Sequence, residues 1–155
     1  MIAAAVILLD RISKLLVLRS IPVAHDIPVV PGLFQLSHWE NTGAAFSMFA
    51  DSSSPWRTGG LIAFSLIAMT VISYLLLRSG AALNVTNAAL ALILGGAFGN
   101  LWDRLAKGTV TDFLDFYIGQ HHWPPFNLAD SGIVIGSLLL VFEIMFASRH
   151  DKAAQ

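Results

Sequence analysis

Four stretches of the chain are long and apolar enough to be read as membrane-crossing helices, and the polar residues inside and beside them carry most of the information. Residues 2–18 form an apolar stretch charged only at Asp10, Arg11 and Lys14; 59–77 carry no charge and lie between Arg57 and Arg78. Residues 81–102 carry none and end at Asp103-Arg104, and 131–147 carry one acid, Glu143. About 20 apolar residues cross a bilayer, with about 17 a workable minimum. The pattern predicts an all-α membrane protein, a bundle of four transmembrane helices. Two loops, about 19–57 and 105–126, then share one membrane face and both termini the other. Lysine and arginine do not orient it: Arg78, Arg149 and Lys152 lie on the terminus side, and Arg19, Arg57 and Lys107 lie opposite.

The long loop has structure of its own. Pro22, Pro28 and Pro31-Gly32 exclude a continuous helix. In "LFQLSH", Phe34 and Leu36 alternate with Gln35 and Ser37, and "WENTGAAFS" supplies a turn at Asn41-Thr42-Gly43 followed by a short apolar run. A small β-rich platform resting on the membrane surface is expected in this first loop. "DSSSPWR", residues 51–57, reads as a polar linker, and the turn around Arg78-Ser79-Gly80 is very short. There is no internal repeat, so residues 1–155 form a single membrane-embedded domain.

Composition agrees. The chain is 55% hydrophobic and 12% charged, against about 25% charged in a soluble domain, with a mean hydropathy of +0.69. A net charge of −1 and the lack of a basic run exclude nucleic acid as a partner. Without cysteine there is no disulfide, thiolate nucleophile or Cys-rich metal site. The histidines, His25, His38, His121, His122 and His150, show no zinc-ligand spacing, so neither metal nor cofactor is expected. The first apolar run holds Asp10 and Lys14 and lacks a small-residue cleavage site, so it reads as a retained helix rather than a signal peptide.

The candidate chemistry lies where acids meet apolar surface. "GGAFGNLWDRL" places Gly95, Gly99 and Asp103 on one helical row and Gly96, Asn100 and Arg104 on the next. These rows suit close helix packing with Asp103 and Arg104 as interfacial anchors, or a polar site at the helix end. Asp10 and Lys14 form an i, i+4 acid–base pair that either faces the bundle interior or has Lys14 snorkelling to the surface. Asp130 is either an N-cap or a functional acid; Asp112 and Asp115, in "VTDFLDFY", are loop residues, caps or functional acids. Asp112 lies after the third span and Asp130 before the fourth, so both are at one membrane face, with Asn100 and Asn127 available as hydrogen-bond partners. Two such carboxylates suit hydrolysis, one activating water and the other protonating the leaving group. A small proton-coupled transporter, using Asp10, Lys14, Asp112 and Asp130 as a relay, is the rival. A Ser13/Lys14 peptidase is weaker, because adjacent residues do not share a helix face.

The motifs "LDRISK", "NTGAAFS", "GGAFGNLWDR", "VTDFLDF" and "FNLAD", in this order along nearly the whole chain, resemble those of the lipoprotein signal peptidases (signal peptidase II). The resemblance implies an aspartic endopeptidase of the bacterial inner membrane. Such an enzyme removes the signal peptide from a prolipoprotein at the bond before its diacylglyceryl-modified cysteine. It further implies Asp112 and Asp130 as the catalytic pair, with Asp10, Lys14, Asn41, Gly43, Asn100, Arg104 and Asn127 as supporting residues. The implied partners are the prolipoprotein and membrane lipid; the implied state is a monomer, with cytoplasmic termini and the site near the extracytoplasmic face. In one respect the chain departs from the family. Its first apolar run begins at Met1-Ile2, leaving about eight residues, roughly 12 Å of helix, before Asp10; a misassigned start or a truncated chain would account for this.

Overall fold

The computed structural model describes residues 1–43, 55–80 and 84–153. In chain order the elements are α1 (Ile2–Ser20), β1 (Asp26–Val30), β2 (Phe34–Asn41), α2 (Pro55–Ser79), α3 (Val85–Lys107), β3 (Val110–Ile118), β4 (His121–His122) and α4 (Leu128–Ala153). The apolar run expected after Gly43 lies outside the described residues, as does the first part of the polar linker. Its last residues, from Pro55, are already helix, with proline at the first helical position, where its missing N–H costs nothing.

Local chemistry sets the ends of the helices. The Asn84 side chain accepts from the Asn87 N–H and starts α3. Gly108, at φ +79°, ends it in the left-handed conformation while donating its N–H to the Arg104 carbonyl. The Arg78-Ser79 pair expected in a turn is the last turn of α2.

Among the described residues three helices are long and apolar enough to cross a membrane: Trp56–Ser79, Val85–Lys107 and Leu128–Phe146. The expected fourth, α1, spans 19 residues but carries Asp10, Arg11, Lys14 and Arg19. It turns Asp10 and Lys14 inward, both fully buried, while Leu8, Leu9, Ile12, Leu15 and Leu16 are exposed.

The third helix, α3, is central, packing on α4, α1 and α2. Its glycine rows make this possible. A Cβ at Gly95 would meet the Ala3 carbonyl of α1 at 2.8 Å, and one at Gly99 would meet the Asp10 carboxylate at 2.7 Å. Gly96 lies against the Ala129 carbonyl of α4. Backbone contact of this kind replaces the hydrophobic effect as the source of cohesion in lipid.

The chain is mostly helical, with a small antiparallel sheet beside the helices. The strands form one antiparallel order, β1-β2-β3-β4, and half of this platform comes from the segment between α3 and α4, not from the first loop. Asp112 and Asp115, expected in a loop, both lie on β3. The composition of β3, β-branched and aromatic around two acids, suits a strand, but the acids mask the alternation of a half-buried one. Register shifts between Leu36 and Trp39, so that Leu36 pairs with Leu114 and Trp39 with Asp112. Beneath the sheet, Val17, Ile21 and Phe113 pack with Leu36, Leu114 and Leu128, tying the ends of α1 and α4 to the platform.

Candidate active site

Buried polar residues of α1, α3, β3 and α4, with Asn41 of β2, form one connected network. At its centre is Asn127. Its side-chain amide donates to Asp112 Oδ1 at 2.7 Å and to Asn100 Oδ1 at 3.2 Å. Its backbone N–H donates to Asp130 Oδ2 at 3.2 Å, and its Oδ1 accepts from the Asp130 N–H at 2.9 Å. Asn127 and Asp130 thus exchange hydrogen bonds across the first turn of α4, as in a capping box. The cap is Asn127, and Asp130, expected at that position, stands inside the turn. One residue therefore fixes both carboxylates.

Further donors complete their surroundings. Asn100 gives its amide to Asp130 Oδ1 at 2.7 Å, and Asn41, at the end of β2, gives its amide to Asp112 Oδ2 at 2.8 Å. Gly43, at φ +97°, donates its N–H to Asn41 Oδ1 at 2.8 Å, which leaves the Asn41 NH2 to face Asp112. The Arg104 guanidinium feels the charges of Asp130, Asp112 and Asp103.

Behind Asn100 lies a buried ion cluster. Lys14 Nζ is 2.8 Å from Asp10 Oδ2, 2.9 Å from Asp103 Oδ2 and 3.2 Å from Asn100 Oδ1. Arg11 pairs with the other oxygen of Asp103, and Asp10 Oδ1 accepts from the Ala129 N–H at 3.0 Å. Lys14 is thus enclosed, not snorkelling, and Asp103 is a buried partner, not an interfacial anchor. Sequence reasoning missed the pairing of Asp103 with Lys14 and Arg11. Its signal was the Gly95, Gly99, Asp103 row, which faces α1.

Asp115 stands apart. It binds Gln35 Nε2 at 2.7 Å, Ser37 Oγ at 3.4 Å and His122 Nδ1 at 2.9 Å, joining β2, β3 and β4. His121 and His122, expected in a solvated loop, form β4.

Asp112 lies outside the helices, and burial pushes its carboxyl from 3.8 up to about 7, the Asp130 charge adding to this and the Asn41 and Asn127 bonds opposing it. Near neutral pH such a group holds or releases a proton readily. Two fixed carboxylates, one inclined to keep a proton, have the makings of an acid–base pair. Among the described residues no group of three or more His, Cys, Asp or Glu could hold a metal.

Comparison with known proteins places the chain among them over nearly its whole length. The sequence profile of signal peptidase (SPase) II matches residues 2–146. A lipoprotein signal peptidase of Solibacter usitatus is 42% identical over 149 residues, 96% of this chain and 91% of the relative. One of Yersinia pseudotuberculosis is 43% identical over 153 residues, 99% and 89% of the two chains. Two solved structures of bacterial membrane enzymes superpose with a TM-score of 0.81 each. One is 26% identical and covers 93% of this chain and 85% of its own; the other is 27% identical and covers 94% and 90%. None of these relatives supports the transporter reading. The chain belongs to the signal peptidase II family.

Proposed function

We propose that this protein removes the signal peptide from prolipoproteins, cutting the bond before the diacylglyceryl-modified cysteine with Asp112 and Asp130. The observation that carries this reading is the double engagement of Asn127, side chain to Asp112 and backbone to Asp130. The pair carries one proton, drawn toward Asp112 by its burial. The charged member takes a proton from the attacking water, and the protonated one delivers its proton to the departing amide nitrogen. Arg104, whose charge interacts with both acids, positions the substrate or the developing oxyanion. Asp10 and Lys14 hold Asn100 in place, and Gly43 holds Asn41.

The helix α1 is the fourth span, with Asp10, Arg11 and Lys14 paired within the bundle and its leucines toward lipid. The end of α1, the end of α3 and the start of α4 all meet the sheet, which supports a site at the membrane edge; the family resemblance supports putting that edge on the extracytoplasmic face, with cytoplasmic termini. Such a site in the bacterial inner membrane suits a cysteine anchored by its diacylglyceryl group in that leaflet, with membrane lipid around the helices.

The test uses the purified protein in lipid with a prolipoprotein before and after diacylglyceryl modification, followed by mass spectrometry. Release of the signal peptide from the modified substrate alone is expected. Failure to cut it, or equal cutting of both forms, would overturn the reading.

A further inference from the structure

Beside the catalytic network, and joined to it through the Thr111 backbone, which accepts from the Asn127 amide at 3.4 Å and donates to Asp103 at 3.5 Å, lies a second polar cluster around Glu40 on β2. Its carboxylate receives Lys107 Nζ at 2.8 Å on each oxygen and the Thr111 hydroxyl at 3.1 Å. The Thr109 hydroxyl donates to it as well, and Lys107 also contacts Thr111. His38 Nε2 lies 3.3 Å away, while His38 Nδ1 is 2.6 Å from the Ile21 carbonyl just past α1. One side chain thus gathers the last residue of α3, the link to β3, β3 itself and, through His38, the end of α1.

The neighbour of Glu40 gives this cluster its importance. Asn41 is the last residue of β2, and adjacent residues on a strand point to opposite faces. The ladder gives limited support: beyond the register shift after Leu36, only Trp39, Glu40 and Asn41 pair with β3. Pinning Glu40 on one face therefore fixes the backbone that aims the Asn41 amide at Asp112 Oδ2 on the other. The Lys107 and Thr109 bonds outweigh burial and hold the Glu40 carboxyl below its ordinary value, so the clip stays ionised at neutral pH.

We infer that Glu40 is a positioning residue of this active site, a clip between β2 and the α3–β3 junction that holds Asn41 against Asp112. The inference rests on the assignment of Asp112 as a member of the catalytic pair. Without the clip the Asn41 donor leaves Asp112, and the ionised form of Asp112 loses a stabilising bond. The other charges facing Asp112 remain: Asp130 on α4, Lys14 on α1 and Arg104 on α3.

The experiment measures kcat, KM and the pH profile of prolipoprotein cleavage for Glu40→Ala, Asn41→Ala and the double variant, in lipid. For Glu40→Ala, kcat is expected to fall about tenfold to a hundredfold, as misplaced catalytic groups do, with KM within about twofold. The alkaline limb is expected to move up by about half a pH unit. The double variant should be no slower than Asn41→Ala alone, because both remove the same hydrogen bond. Glu40→Gln, which keeps an acceptor, should fall between wild type and Glu40→Ala. An unmoved alkaline limb, or losses that multiply in the double variant, would overturn the inference. If Glu40→Ala does not fold, Lys107→Met removes the cation on both Glu40 oxygens and Thr109→Val removes a single bond of the clip, and the same shift in the limb decides. Asp112→Asn runs alongside: its activity would sink the catalytic assignment, whereas its inactivity beside an unaffected Glu40→Ala would sink the clip alone.

Discussion

Replacing Asp112 by asparagine separates what this carboxyl costs the fold from what it does in catalysis. Burial pushes it from 3.8 up to about 7, so between these values the folded chain holds a proton that the unfolded chain has released. The contribution to stability is fully present below pH 3.8 and is lost as pH rises to about 7. At about 1.4 kcal/mol per pH unit, the ionised form costs the folded protein on the order of 4 kcal/mol above that range. Asparagine escapes this cost but meets another. Asp112 accepts Asn127 Nδ2 on one oxygen and Asn41 Nδ2 on the other, and an amide has only one oxygen, so one donor faces an NH2 group at a cost of about 1–3 kcal/mol at every pH. The variant should therefore melt below wild type near pH 4 and at or above it near pH 8, while cleavage falls by about 10²–10⁴ at either. Thermal midpoints by tryptophan fluorescence in detergent, with cleavage of a lipidated substrate at each pH, read both effects. A midpoint difference independent of pH would refute the raised proton affinity, and near-normal cleavage would refute the catalytic assignment.

Asp130→Asn should likewise abolish cleavage, whereas Asp115→Asn, whose carboxylate serves Gln35, Ser37 and His122, should stay within about tenfold of wild type; the reverse order would exchange their roles. Arg104→Ala should lower turnover with the helical far-UV signal and thermal midpoint nearly unchanged, and a large fall in midpoint with intact specific activity would make it an anchor instead. Lys14→Met leaves Asp10 and Asp103 buried without their shared cation, which should cost about 3–5 kcal/mol; an unchanged midpoint would contradict the enclosed cluster. Cleavage should follow a bell in pH, its alkaline limb near 7 as the shared proton leaves, and a strong chelator should not affect it. Loss under chelation with rescue by zinc would overturn the two-carboxylate mechanism.

How much the sequence reveals depends on how far each residue lies from its partners. The apolar runs at 59–77, 81–102 and 131–147 declare themselves because a lipid-facing helix is apolar on most sides. Their ends are misjudged where hydropathy stops before the helix does: α3 continues through Asp103 and Arg104 to its Gly108 cap, and α4 starts at Leu128, ahead of Asp130. The Asp10–Lys14 pair is visible at i, i+4, but Arg11 finds Asp103 across 92 positions, and no local pattern announces that. Likewise β3 reads as a loop because its partner β2 precedes it by about 80 residues, and two acids break its alternation. The Asn-x-x-Asp spacing of "FNLAD" is the most telling local signal, since a capping box needs that separation, although the sequence leaves open which residue is the cap. Glu40 gives no signal. Its partners arrive from α3, from the link to β3 and from β3, 67 to 71 positions away, and only the folded chain brings them to one carboxylate. The proposed catalytic acids are therefore singled out by motif, while the clip that aims one of their hydrogen-bond donors has to be found by geometry.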